Sequence, residues 1–253
     1  MMESHFRVRT IEHSTGEKSP MLFSRSDGLP DSLANDWKIE RRSVTHSHQS
    51  LRQELFAVAF FYDVARSRNW NLSELFDSGN GLTWEMLATL REDCGRWHTD
   101  VMCRQESMRL MSSGIQKFRL DVIRKFCVWR LETVRQRIFG SGRLAESVNV
   151  IHNIDRHKNA LKTSQVESRR RLGLTPSGIN ALQNLVDPTS PSNPFQSRFR
   201  LRNFLMVQLL LEYGLRRGEL LGLRTSDVDY RAKRPKICVY RRPDEKIEKR
   251  ISV

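Results

Sequence analysis

Read from its apolar and polar positions alone, the chain is a series of helical stripes with one alternating stretch near its end. Leu51, Leu55, Val58, Ala59 and Tyr62 recur at three and four residues, with Phe56 and Phe60 widening the stripe. That spacing predicts a helix over residues 50–68. A polar connection follows from Asn69 to Gly81, with a short turn at Leu72 to Phe76. Thr83 is placed to cap a second helix that reaches Trp97 and carries Met86, Leu87, Leu90 and Cys94. The longest pattern runs from Ser112 to Phe139, with Ile115, Phe118, Val122, Phe126, Trp129 and Val134 on its apolar side. The stripe of Phe118, Val122, Phe126 and Trp129 reads as core rather than as an aromatic ligand box.

The second half opens on Thr175-Pro176, a capping residue followed by a proline suited to the first helical position. Ile179, Leu182, Leu185 and Val186 line this helix, which ends before the proline-rich loop Asp187 to Pro194. A helix from Arg200 to Tyr213 is expected to bury Leu201, Phe204, Leu205, Leu209 and Leu210. Gly214 breaks it, and a further helix spans about Arg217 to Leu223. Lys236 to Tyr240 alternates and is β-branched, so it predicts a strand. Pro243 to Lys246 reads as a turn, with Ile247 to Val253 as the returning strand.

Between these stripes the pattern lapses twice. Residues 1–45 mix Ser, Arg, Asp, Gly and Pro without a sustained period, and read as an irregular N-terminal arm. Gly140 to Arg171 reads as a linker or bridging element, with a helical middle as an alternative. The expected organisation is therefore an arm (1–45), a helical domain (46–150), a basic linker (151–171) and a second domain (172–253).

Charge changes the picture more than composition does. A net charge of +14 makes a polyanion the expected partner. The third helix carries Lys117, Arg119, Arg124 and Lys125; the linker carries Arg156, Lys158, Arg169 and Arg170. These, with Arg217 in the second domain, are the candidate phosphate contacts, and a solvated basic face explains the same pattern. The four cysteines form no Cys-x-x-Cys pair and the histidines no ligand cluster, which suits a reducing compartment and argues against a zinc or disulfide scaffold. No apolar run approaches a membrane span, and no hydrophobic signal segment opens the chain.

The most specific stretch is Gly214-Leu215-Arg216-Arg217-Gly218-Glu219-Leu220-Leu221-Gly222-Leu223-Arg224. An arginine at a glycine-broken helix junction is suited to hold a phosphate, because its planar fork donates two hydrogen bonds. Arg217, one residue on, points elsewhere. The plainer interpretation is a surface ion pair with Glu219 or Glu212. The run from Leu209 to Asp229 resembles the first conserved box of tyrosine recombinases, the phage integrase family: Gly-Leu-Arg, then Glu, then Leu-x-x-Leu, then Asp. The resemblance implies that Arg216 is the first catalytic arginine, Glu219 its supporting acid, Leu220 and Leu223 the packing positions and Asp227 the closing one. Leu174-Thr175-Pro176 is similar to the opening of the family's catalytic domain, and residues 46–139 resemble its helical domain more weakly.

The resemblance implies a mainly α fold: a helical, SAM-like core-binding domain, then the first part of a mixed α/β catalytic domain. It implies a DNA-binding portion of a site-specific recombinase that cleaves and rejoins strands in integration, without metal or cofactor. Its partners would be double-stranded DNA and other copies on DNA, with no membrane, in the cytoplasm at the nucleoid. The family's hairpin lysine, a general acid, falls on Lys246, with Lys249 as the alternative. Its His-x-x-Arg box and tyrosine nucleophile find no match, since Tyr62, Tyr213, Tyr230 and Tyr240 stand in the wrong context. The chain by itself is expected to be inactive, as a piece of a larger enzyme. A non-catalytic, regulatory DNA-binding protein on a recombinase-like scaffold is the alternative, and a helical protein-interaction scaffold a third.

Overall fold

The computed structural model describes residues 4–14, 16–44, 47–103, 110–163, 173–231 and 235–240. The protein is mainly helical, with two small antiparallel hairpins. It divides into two compact units, residues 1–167 and 168–253.

In the first unit, the described residues of the segment expected to be an irregular arm form a hairpin and a helix. Strands β1 (Phe6–Glu12) and β2 (Lys18–Ser24) pair in register from Phe6 opposite Ser24 to Glu12 opposite Lys18. Helix α1 (Ser32–Val44) follows. Asp31 caps it by accepting from the Ala34 amide at 2.7 Å. Asn35 then ties the helix to β2, accepting from the Leu22 amide at 3.0 Å and donating to the Leu22 carbonyl at 2.9 Å. The reason for the departure is that the apolar residues here are dispersed singles. Leu22, Ala34 and Trp37 become a core only against helix α2 (His48–Ser67) and the long helix below.

Helix α2 is the spine of this unit, with Leu55, Val58, Phe61 and Val64 fully buried. Asn71 and Thr83 cap α3 (Leu72–Asp77) and α4 (Trp84–Cys94), each accepting from the amide three residues on. α4 ends at Gly95, and a short helix α5 (His98–Met102) restarts beyond it. Helix α6 (Ser113–Gly140) brings Phe126 against Trp37 and Phe61 in edge-on contacts, with ring centroids 5.5 and 6.3 Å apart. Of its expected stripe, Val122 and Phe126 are buried but Phe118 is 41% exposed.

The expected linker begins inside a helix. α7 (Leu144–Ala160) turns back along α6 and buries Ser147, Val150, Ile154 and His157. Those four recur at three and four residues, and the polar members masked the stripe. Beneath α7 the chain reverses at Gly79 and Gly81, both with positive φ; a Cβ on Gly81 would lie 2.5 Å from the His157 ring.

The second unit contains α8 (Pro176–Val186), α9 (Ser197–Tyr213), α10 (Arg217–Gly222), a single 3-10 turn at Thr225–Asp227, and the two-residue strands β3 (Val228–Asp229) and β4 (Lys236–Ile237). Thr175 caps α8 as expected, accepting from the Gly178 amide. The burial expected of α9 is not found: none of its residues is buried, with Leu201 and Leu205 more than half exposed and Leu210 also exposed. Among the described residues this unit lacks the second layer that would cover that face. The expected strand from Lys236 pairs for only two residues.

Candidate nucleic-acid interface

The junction between α9 and α10 is built from backbone conformation outward. Gly214 takes the left-handed conformation at φ 60°, and its amide closes α9 on the Leu210 carbonyl. Arg216 then stands at the N-cap of α10 in extended conformation. Arginine has no acceptor and cannot cap the exposed amides of the first turn. Glu219 instead reaches back, accepting from the Arg216 amide at 2.7 Å with one oxygen and from its Nη1 at 3.2 Å with the other. Leu220, mostly buried, anchors the turn beneath.

Arg216 is therefore braced at its base while its side chain remains 87% exposed. One guanidinium nitrogen meets Glu219, and the rest of the fork is in solvent. An ion pair this exposed contributes little stability, roughly 0–1 kcal/mol. An anion can thus share the guanidinium at low cost. Arg217, first in α10, is also exposed. Asp227, buried at the end of the motif, repeats the local logic by accepting from the Arg224 amide at 2.8 Å.

The basic positions of the first unit are more heavily engaged. Arg124 and Lys125 converge on Asp121 at 2.5 and 2.6 Å. Arg119 faces inward: it donates to the carbonyls of Cys94 and Arg96 at 3.2 and 2.8 Å and lies 4.0 Å over the Phe60 ring. Burial pulls its pKa below the usual arginine value. Arg156 donates to the Asn80 carbonyl at 2.5 Å, and burial lowers its pKa too. Lys117 is half-buried, while Lys158 is half exposed, 3.8 Å from Asp155. The structure thus brings together Arg216 with Glu219, and Arg124 with Lys125. It turns Arg119 and Arg156 toward protein carbonyls, because each sits where a loop or helix end leaves acceptors unpaired. Lys246, Lys249, Arg169 and Arg170 lie outside the described residues.

One pair escaped the sequence reading. Arg198 and Arg202, both exposed on α9, bracket the Phe199 ring at 4.5 and 4.6 Å. The alternation Arg198-Phe199-Arg200-Leu201-Arg202 was the available signal; Arg200 differs, donating to the Phe195 carbonyl at 3.2 Å. Among the described residues, no group of three or more His, Cys, Asp or Glu side chains is arranged to hold a metal, and no helix is long and apolar enough to cross a membrane. No protein-family profile, curated protein or solved structure matches this chain.

Proposed function

We propose that the chain is the DNA-binding portion of a site-specific tyrosine recombinase, with Arg216 holding a phosphate of double-stranded DNA. In this proposal the first unit contains the SAM-like core-binding domain and the second the opening part of the mixed α/β catalytic domain. The protein acts in the cytoplasm on the nucleoid, and copies associate on DNA. The observation that carries it is the Arg216 junction: an exposed guanidinium, braced at its own amide by Glu219, within a motif of the family's spacing. The +14 charge supplies the sequence-independent part of the affinity. Strand cleavage is assigned to groups that the 253 residues do not match, so binding without a covalent adduct is expected.

Fluorescence anisotropy with a labelled duplex tests this. Affinity should fall steeply between about 50 and 200 mM salt. Arg216→Ala should weaken binding several-fold and reduce the log–log salt slope by about one, the signature of one lost phosphate contact. Affinity that ignores salt would sink the DNA proposal. Salt-dependent binding that Arg216→Ala leaves untouched would remove the recombinase-like role of the junction.

A further inference from the structure

The side chains at the edge of the first unit's core surround a cavity of about 480 Å³, between the β1–β2 hairpin, α2, α5 and the start of α6. That volume falls within the range of roughly 300–1,000 Å³ common for small-molecule sites. Its walls explain two departures from the expected core. Phe56 and Phe118 project from α2 and α6 with 40% and 41% exposure because they face this space rather than the packed interior. Phe6 and Phe60 complete the aromatic lining.

The charged residues of the lining are all basic: Arg7, Arg25 and Arg119, with no aspartate or glutamate. The buried carboxylate that the lining residues Ser4 and His98 contact, Asp63, is covered by its own donors. It accepts from the Ser4 hydroxyl at 2.5 Å, the His5 amide at 3.0 Å and His98 Nε2 at 2.9 Å. Arg119 and Arg25 use donors on carbonyls, Arg25 through a long contact to Phe6. Arg7 differs. Its Nε is buried and has no hydrogen-bond partner. That nitrogen is closed to solvent, but Arg7 lines the cavity and its side chain makes no other hydrogen bond or ion pair among the described residues, which leaves its terminal nitrogens as the donors for an anionic oxygen.

We propose that this cavity binds a small organic anion, its flat apolar body against Phe56 and Phe118 and its carboxylate or phosphate on Arg7. The apolar walls exclude a bare inorganic ion as the best-fitting ligand, since much of the cavity would have nothing to bind. They also disfavour a duplex backbone, which offers phosphate without an apolar body. The cavity lies wholly in the first unit and shares with the proposed DNA-contacting set only Arg119, which is already bound to carbonyls.

Titration calorimetry of the full chain with 1-naphthoate, 1-naphthyl phosphate and the neutral 1-naphthamide tests the assignment. The better of the two anions should bind one-to-one with a Kd below roughly 1 mM. The amide should bind about tenfold more weakly or worse. Comparing the two anions identifies the preferred charged group. Arg7→Met should weaken anion binding about tenfold while leaving Tm unchanged or raised, because it removes a donor that has no partner in the protein. Phe118→Glu, at a site exposed enough to tolerate the charge, should also abolish most of the affinity. Equal binding of amide and anions, no binding by either anion up to about 10 mM, or full affinity in both variants would overturn the proposal. Stoichiometric displacement of the naphthyl anion by a short duplex would also overturn it, assigning the cavity to nucleic acid instead.

Discussion

His157 shows how much one residue's role depends on its surroundings. In sequence it lies between Arg156 and Lys158, inside the expected basic linker. In the structure it is fully buried, its Nδ1 donating to the Asn153 carbonyl at 2.7 Å and its Nε2 accepting from the Leu82 amide at 3.0 Å. Only the neutral ring satisfies both bonds, and burial lowers its pKa from 6.5 to about 4. Unfolded chains take up this proton near pH 6.5 and folded ones near pH 4, so the unfolded state binds more protons between those values. Stability is therefore fully present above pH 6.5 and falls as pH drops toward 4, by about 3 kcal/mol from this residue. Urea unfolding across that window checks it, with His157→Gln expected to flatten the profile. Identical profiles for the variant and the wild type would show that the histidine is not the titrating group. At the same scale, Arg216 and Arg119 are indistinguishable by residue type. One is held outward by a glycine break and a glutamate; the other is drawn in by a helix-end carbonyl, a loop carbonyl and a phenylalanine face.

At the scale of elements, strong periodicity was legible and weak periodicity was not. α2, α6 and α8 appear close to where their stripes predict them, because each repeats large apolar residues over several turns. The Thr83 and Thr175 caps were readable for a local reason: the hydroxyl and the amide it serves are three residues apart. α7 was obscured because its buried face uses serine and histidine beside Val150 and Ile154. The β1–β2 hairpin was missed although Phe6-Arg7-Val8-Arg9 alternates as a strand does, because the run is short and its turn lacks a compact glycine-asparagine signal. α9 poses the opposite case, a leucine-rich stripe without a covered face. Two substitutions separate these elements. Ile154→Ala should cost about 3 kcal/mol in urea unfolding, whereas Leu201→Ala should change stability by less than about 0.5 kcal/mol. A neutral Ile154→Ala would mean that α7 does not pack as described, and a large loss for Leu201→Ala would mean that α9 is covered in solution.

At the scale of the molecule, the two units differ in how completely they bury themselves. The first has a continuous core from Leu22 to Leu161, whereas among the described residues of the second only Val186, Asn193, Leu220 and Asp227 are buried. Amide hydrogen exchange should therefore be slowest in α2 and α6 and much faster through α9, whose hydrogen bonds have no buried side chains above them. Equal protection in α6 and α9 would contradict that difference. The mainly helical character and the alternation of helix and loop were determined by the sequence, because helical period, caps and breakers act within a few residues. So was the spacing of the Gly214 to Asp227 motif. Only the tertiary structure decided which aromatics form core and which line a cavity, which arginines face solvent, and that the β1–β2 hairpin and α1 join the core. Burial and hydrogen-bond satisfaction are set by groups far apart along the chain: Trp37 meets Phe126, Arg119 meets Phe60, and His157 meets Leu82.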